Sequence, residues 1–203
     1  MKQPKSMRGL ENLGRVRLSK TFFMRDFLHS EIASLYGIPN IPDEPDLAIK
    51  AGRHLAEELL EPIQDTFGPV RIRGAYRSAR VNQFGNDHKM NCAHNRRAAS
   101  RHVWDRRDKN GHLGAMACIV IPWFADRYGE GADWRSMAWW IHDHLPYGSL
   151  WFYPKMAAFN IGWHENPSRR IASYISPKGC LTKPGMENHG GSHQEWYADF
   201  PVR

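Results

Sequence analysis

The sequence has no run of the ~18 apolar residues that a membrane span needs, and none sits behind the basic start, Met1 to Arg17. Neither a membrane anchor nor a secretory signal is therefore expected. Cysteine is scarce. Cys92, Cys118 and Cys180 are odd in number and widely spaced, which argues against a disulfide framework. Each is most simply a small buried apolar residue. There is no internal repeat, no low-complexity tract, and no helix-turn-helix or zinc-finger spacing. These absences leave a chain expected in the cytoplasm, reaching the outside only on lysis or within a virion.

What is present fits one folded domain. The chain has 203 residues, 41% of them apolar, enough for a real core. Its formal net charge is +7, from 28 Lys+Arg against 21 Asp+Glu, which favours anionic partners without choosing among them. Eight tryptophans are expected mainly in the core or as interface anchors.

Periodicity gives the elements. Ser19 and Thr21 are candidate caps for a helix through Phe22, Phe27, Ile32 and Leu35, closed by Gly37. Asp46 can cap a second helix whose apolar face is Leu47, Ala51, Leu55, Leu59 and Ile63, stopped at Gly68-Pro69. Val70 to Gly74 reads as a strand and Arg77 to Phe84 as a short helix. A long polar stretch, Gly85 to Asn110, follows as a structured loop. Ala115 to Ile121 is the clearest strand, Trp134 to Ile141 a helix, and Leu150–Tyr153, Ala157–Trp163 and Ile171–Ile175 further strands. The expected class is α+β, a small mostly antiparallel sheet flanked by helices. Residues 1–18 read as a basic N-terminal arm, 19–177 as the domain, and 178–203 as a Gly/Pro/His-containing tail that covers the surface or reaches a neighbour.

One set of motifs resembles a known family. Arg73-Gly74-Ala75-Tyr76-Arg77-Ser78, followed by Asn82, is similar to a signature of the zinc D-Ala-D-Ala metallopeptidases. That group includes phage endolysins and shares its fold with the hedgehog signalling domain. Upstream, the turn Gly37 to Pro42 and the stretch Leu59-Leu60-Glu61-Pro62-Ile63 match the same pattern. Ser100-Arg101-His102 opens the family's metal-binding block. The block resumes after an insertion, Trp104 to Leu113, as Gly114 to Val120. This puts Cys118 where the family carries a metal-binding Asp. Trp163-His164 is the nearest match to the closing Trp-x-His.

The resemblance implies a hedgehog/DD-peptidase-like fold and a zinc ion held by His102, Cys118 and His164. It also implies a stem-peptide substrate held by Arg77 and Ser100. Such a zinc needs three protein ligands and an open position for water, whose pKa it lowers to ~7. Thiolate binds zinc well, so Cys118 can replace the Asp; its alternative is a buried strand cysteine. Two alignments of the last block stand side by side: His164 with the spacer lost, or Ile161 at the ligand position. No carboxylate precedes His164 as general base, and the catalytic residues are left unassigned. His142-Asp143-His144 is a metal-binding cluster by composition, with a solvated helix end as the favoured reading. Two functions follow: a zinc peptidase on peptidoglycan stem peptides, or a catalytically degenerate peptidase-fold protein that binds cell wall or virion proteins through its arm and tail. Nucleic acid is not the expected partner, although Arg96-Arg97 and Arg106-Arg107 supply charge.

Overall fold

The second apolar face becomes a helical column. In the computed structural model, which describes residues 1–201, helix α3 (Pro45–Leu55) passes through a π-helical turn at Ala56–Leu60 into α4 (Glu61–Phe67). Pro45 occupies the first turn, where its missing N–H costs nothing. Ala51, Leu55, Leu59 and Ile63 are fully buried. Gly68, at φ 82°, ends the column in a conformation that favours glycine.

The strands form one six-stranded sheet: β1 (Arg71–Gly74), β2 (Gly114–Val120), β3 (Ser149–Phe152), β4 (Phe159–His164), β5 (Arg170–Ser173) and β6 (Gly179–Thr182), in the order β1-β2-β4-β3-β5-β6. All neighbours are antiparallel except β3 and β5. The chain is therefore α+β with a mostly antiparallel, mixed sheet. Pro122, first residue of α7 (Pro122–Gly129), ends the β2 run. Helix α8 (Trp134–His144) is capped by Asp133, whose side chain accepts from the Arg135 N–H.

Period-2 alternation gives the sheet two faces. Ala117, Ile119, Phe159, Ile161, Leu150 and Phe152 join the helical core. The alternate residues, Met116, Cys118, Asn160, Gly162 and Trp151, belong to the other face, where Cys118, Asn160 and Trp151 keep partial exposure. Trp139 and Trp140 are core residues, as expected. Trp151, expected in the core, stands instead on the second face because it alternates with buried Leu150 and Phe152.

Three segments differ from the periodicity. The stretch after Leu18 is not one helix: a 3₁₀ turn (Met24–Phe27) precedes α2 (Glu31–Tyr36), which is capped by Ser30 and closed by Gly37 at φ 62°. Ser19 and Thr21 cap nothing. Their hydroxyls donate to the buried Glu61 carboxylate at 2.7 and 2.9 Å, and the Thr21 N–H donates to it at 2.6 Å. The N-terminal stretch 1–18 contains α1 (Met7–Gly14) and places Leu13 and Leu18 in the core. The C-terminal stretch adds β6 to the sheet and Tyr197 and Phe200 to the core. Both ends contribute to the same core rather than lying free, because each carries apolar residues that must be covered. The last two positions of the expected tail, 202 and 203, lie outside the described residues.

Candidate functional site

The β1 end and the loop behind it are built by amides. Asn40, in the turn after α2, donates to the carbonyls of Leu28 and Tyr76 at 2.9 and 3.0 Å and accepts from the Ser78 N–H at 2.7 Å. Ser78 then caps α5 (Ala79–Asp87) by accepting from the Val81 N–H. Asn82, fully buried in α5, donates to Ala93 O at 2.8 Å and Asn95 Oδ1 at 2.7 Å, and so fastens the long loop that carries α6 (Asn95–Ala98). The Gly37–Pro42 turn and the Arg73–Asn82 stretch thus converge on the residues around Arg77.

Arg77 is half-buried at this point. Its backbone N–H donates to His102 O at 2.8 Å, and its guanidinium donates to Cys92 Sγ at 2.6 Å. Among the described residues it has no carboxylate within ion-pair distance. Its charge is felt by three neighbours. The His102 pKa is lowered to about 3, first by burial and then by Arg77. The Cys118 thiol is pushed up by burial, with Arg73 and Arg77 opposing. Tyr153 is raised to about 12, by burial first and then by Cys118 and Tyr174, with Arg77 opposing. Arg77 therefore touches Cys92 and the His102 backbone, and its charge reaches the His102, Cys118 and Tyr153 side chains.

His102 Nδ1 lies 2.7 Å from Ala75 O, so the ring donates there and keeps Nε2 as its lone-pair nitrogen. Such a carbonyl contact is the usual support of a ligand histidine. Opposite Cys118 in the β2–β4 register stands Asn160, whose amide donates to Tyr153 Oη at 2.9 Å. Around them the open face is aromatic. The Trp151 and Tyr174 rings are 5.3 Å apart, those of Tyr153 and Tyr174 5.6 Å, and the Arg170 guanidinium lies 5.8 Å from the Trp151 ring centre.

The other two expected site residues lie elsewhere. His164 pairs with Gly114, four positions along β4 from Asn160. At about 3.4 Å per residue that is roughly 14 Å, too far for one ion to bridge it to Cys118. His164 Nε2 instead meets Asp108 at 3.3 Å, and its Nδ1 accepts from the Asn166 N–H at 3.0 Å. Ile161, the alternative position, points into the core. Ser100 is 2% exposed, and its hydroxyl lies 2.6 Å from His112 O and 3.1 Å from Arg106 O. It closes the loop and offers no surface to a substrate. The insertion is equally anchored: Trp104 is fully buried and its indole N–H donates to Met116 O at 3.2 Å. Arg106 and Arg107 are paired with Asp43 and Glu165.

A second group lies at the end of α8. Among the described residues His142, Asp143 and His193 are the one set of three His, Cys, Asp or Glu whose ligand atoms all come within 4.8 Å of one another, and so could hold a metal ion. His193 Nδ1 and its backbone N–H both lie 2.7 Å from the Asp143 carboxylate, which also accepts from Tyr197 Oη at 2.7 Å. These contacts hold the Asp143 pKa below the ordinary carboxylate value despite partial burial. The composition of His142-Asp143-His144 hinted at this group. The tail partners His189 and His193, 47 and 50 residues from His142 and Asp143, did not follow from any local spacing.

The chain matches no protein-family model, no curated protein and no solved structure. Among the described residues no helix is long and apolar enough to cross a membrane.

Proposed function

We propose that the open face of the sheet binds a peptide with a free carboxylate, of the kind that ends a peptidoglycan stem, and does so as a peptidase-like scaffold without the family's zinc hydrolysis. The observation that carries this is Arg77, a half-buried guanidinium with no carboxylate partner among the described residues, whose charge is felt at Cys118 and Tyr153 on the open sheet face. A guanidinium so placed matches a carboxylate with two parallel donors. The rings of Trp151, Tyr153 and Tyr174 give apolar area to the rest of the peptide. The net charge of +7 favours the approach of an anionic cell-wall polymer.

Zinc, implied by the resemblance, does not fit this face. His102 and Cys118 offer two donors, the register supplies Asn160 where a third ligand would stand, and His164 is engaged by Asp108. A catalytic zinc needs three strong protein ligands. The reading is therefore of a binding protein, and its test is calorimetry with a stem peptide ending in D-Ala-D-Ala. Wild-type protein should bind it. Arg77→Ala, or amidation of the peptide's C-terminus, should weaken binding about tenfold to a hundredfold, the worth of a charged hydrogen-bonded pair. Equal binding by wild type and Arg77→Ala sinks the carboxylate role. Release of D-Ala by zinc-supplemented protein sinks the non-hydrolytic one.

A further inference from the structure

The α8 group presents its donors in an ordered way. His142 Nε2 lies 2.9 Å from His189 O, and His193 Nε2 lies 3.1 Å from Asn188 O. A backbone carbonyl can only accept, so each ring places an N–H on Nε2, and His193 turns its Nδ1 to Asp143. This is how a histidine is held when it ligates through its other nitrogen. His193 Nδ1 then faces an Asp143 oxygen at 2.7 Å. Two lone pairs at that distance repel, so a positive charge has to lie between them: a second ring proton, or a metal ion. His142 Nδ1 lies 2.7 Å from Tyr147 Oη and its Nε2 lies 2.9 Å from His189 O, so an ion at this ring takes the place of one of these contacts.

The surroundings suit an ion. A cavity of about 580 Å³ is lined by two of the three, His142 and Asp143, together with Arg169, His189, Ser192 and Tyr197. The His189 ring lies 4.8 Å from that of His142 and offers a further nitrogen. With metal–ligand bonds of about 2.0–2.2 Å, neighbouring ligand atoms stand about 3.4 Å apart, so the 2.7 Å contact must open by less than an ångström. The 186–200 segment that carries His193 is held by 3₁₀ turns, hydrogen bonds and the packing of Tyr197 and Phe200, not by a sheet ladder, and a shift of that size needs no strand pairing to break.

We propose that His142, His193 through its Nδ1 and the Asp143 carboxylate bind one divalent transition-metal ion, zinc by the chemistry of the set, with a fourth position open to the cavity, and that the ion ties the C-terminal segment to α8. Two imidazoles and a carboxylate suit zinc, and the charge of the carboxylate offsets part of the ion's own. The site is independent of the sheet face and of the peptide-binding reading.

Full-length protein is purified without chelating resin, stripped with a chelator and dialysed against zinc, and bound metal is counted. One ion per chain is expected. His193→Ala and Asp143→Asn should each weaken uptake at least tenfold. Zinc should also slow proteolysis between Lys178 and Phe200 severalfold in wild type. Wild-type protein that takes up no zinc overturns the proposal. Uptake that survives both variants but disappears with Cys118→Ala assigns the ion to the sheet face and overturns it too. Cobalt in place of zinc guards against a variant that merely unfolds. The wild-type spectrum should lack a thiolate-to-metal band, and the presence of that band contradicts a His–Asp–His set.

Discussion

His102 is kept neutral by its place beside β1. Burial and the nearby Arg77 charge lower its pKa to about 3, whereas an unfolded chain protonates the ring near 6.5. Between those values the unfolded state binds more protons than the folded one, so stability falls as pH falls. The gap is worth at most roughly 5 kcal/mol. Gln at this position retains a donor for Ala75 O and has no proton to take up. Urea unfolding across pH 7 to 3 should therefore show a steeper loss for wild type than for His102→Gln, most of it below pH 6.5. Parallel curves would mean that His102 is charged in the fold or shielded in the unfolded chain. At this scale the sequence shows residue types but not their partners. Ser100 and His102 sit two apart in one motif. Yet Ser100 closes a loop while His102 supports the Arg77 site, and only the carbonyls they meet distinguish them.

The start of β2 depends on an absent side chain. A Cβ on Gly114 would run into Ser100 O and stand 2.9 Å from Trp163 O, both rigid backbone atoms. Gly114→Ala must push apart the loop that carries His102 and the β2–β4 ladder. A loss of roughly 2–4 kcal/mol is expected, above the usual cost of a point change. Chemical denaturation checks it; a loss below about 0.5 kcal/mol, the scale of an ordinary surface change, would contradict the packing described. The elements themselves were legible where one period ran unbroken. The Leu47-to-Ile63 face became a single helical column, and the Ala115-to-Ile121 run became β2 displaced by one residue. The stretch after Ser19 was not legible as two short pieces. Its aromatic residues recur at helical spacing, but the Ser19 and Thr21 hydroxyls are taken by Glu61, 40 or more residues away. Register was likewise out of reach. That Asn160, and not His164, faces Cys118 follows from β2–β4 pairing, and a single-residue slip would exchange the two faces.

Across the whole molecule the two chain ends close the core. Phe200 packs against Phe67, Trp123 and Phe124, with ring centres 5.6, 5.1 and 6.0 Å away, and is 9% exposed. The composition of the last 26 residues, with Gly, Pro and His prominent, reads as a surface tail because most of them are not apolar. Two apolar residues, Tyr197 and Phe200, are enough to bring it home when Asp143 also holds it by three hydrogen bonds. The segment therefore has an apolar anchor, Tyr197 and Phe200, after the 3₁₀ turn at Gln194–Trp196, and a polar anchor on Asp143 made by His193 before the turn and Tyr197 after it. Phe200→Ala weakens the first and should cost about 3–4 kcal/mol of global stability, since the vacated site lies among rings that cannot collapse into it. The Asp143 anchor should keep the segment attached even so. Thermal unfolding of Phe200→Ala should remain a single transition at lower temperature, and proteolysis below that transition should cut the Lys178–Phe200 segment little faster than in wild type. An early, separate cleavage there would mean that the aromatic contact alone holds the C-terminal segment, and that the histidine–aspartate group closes only after it.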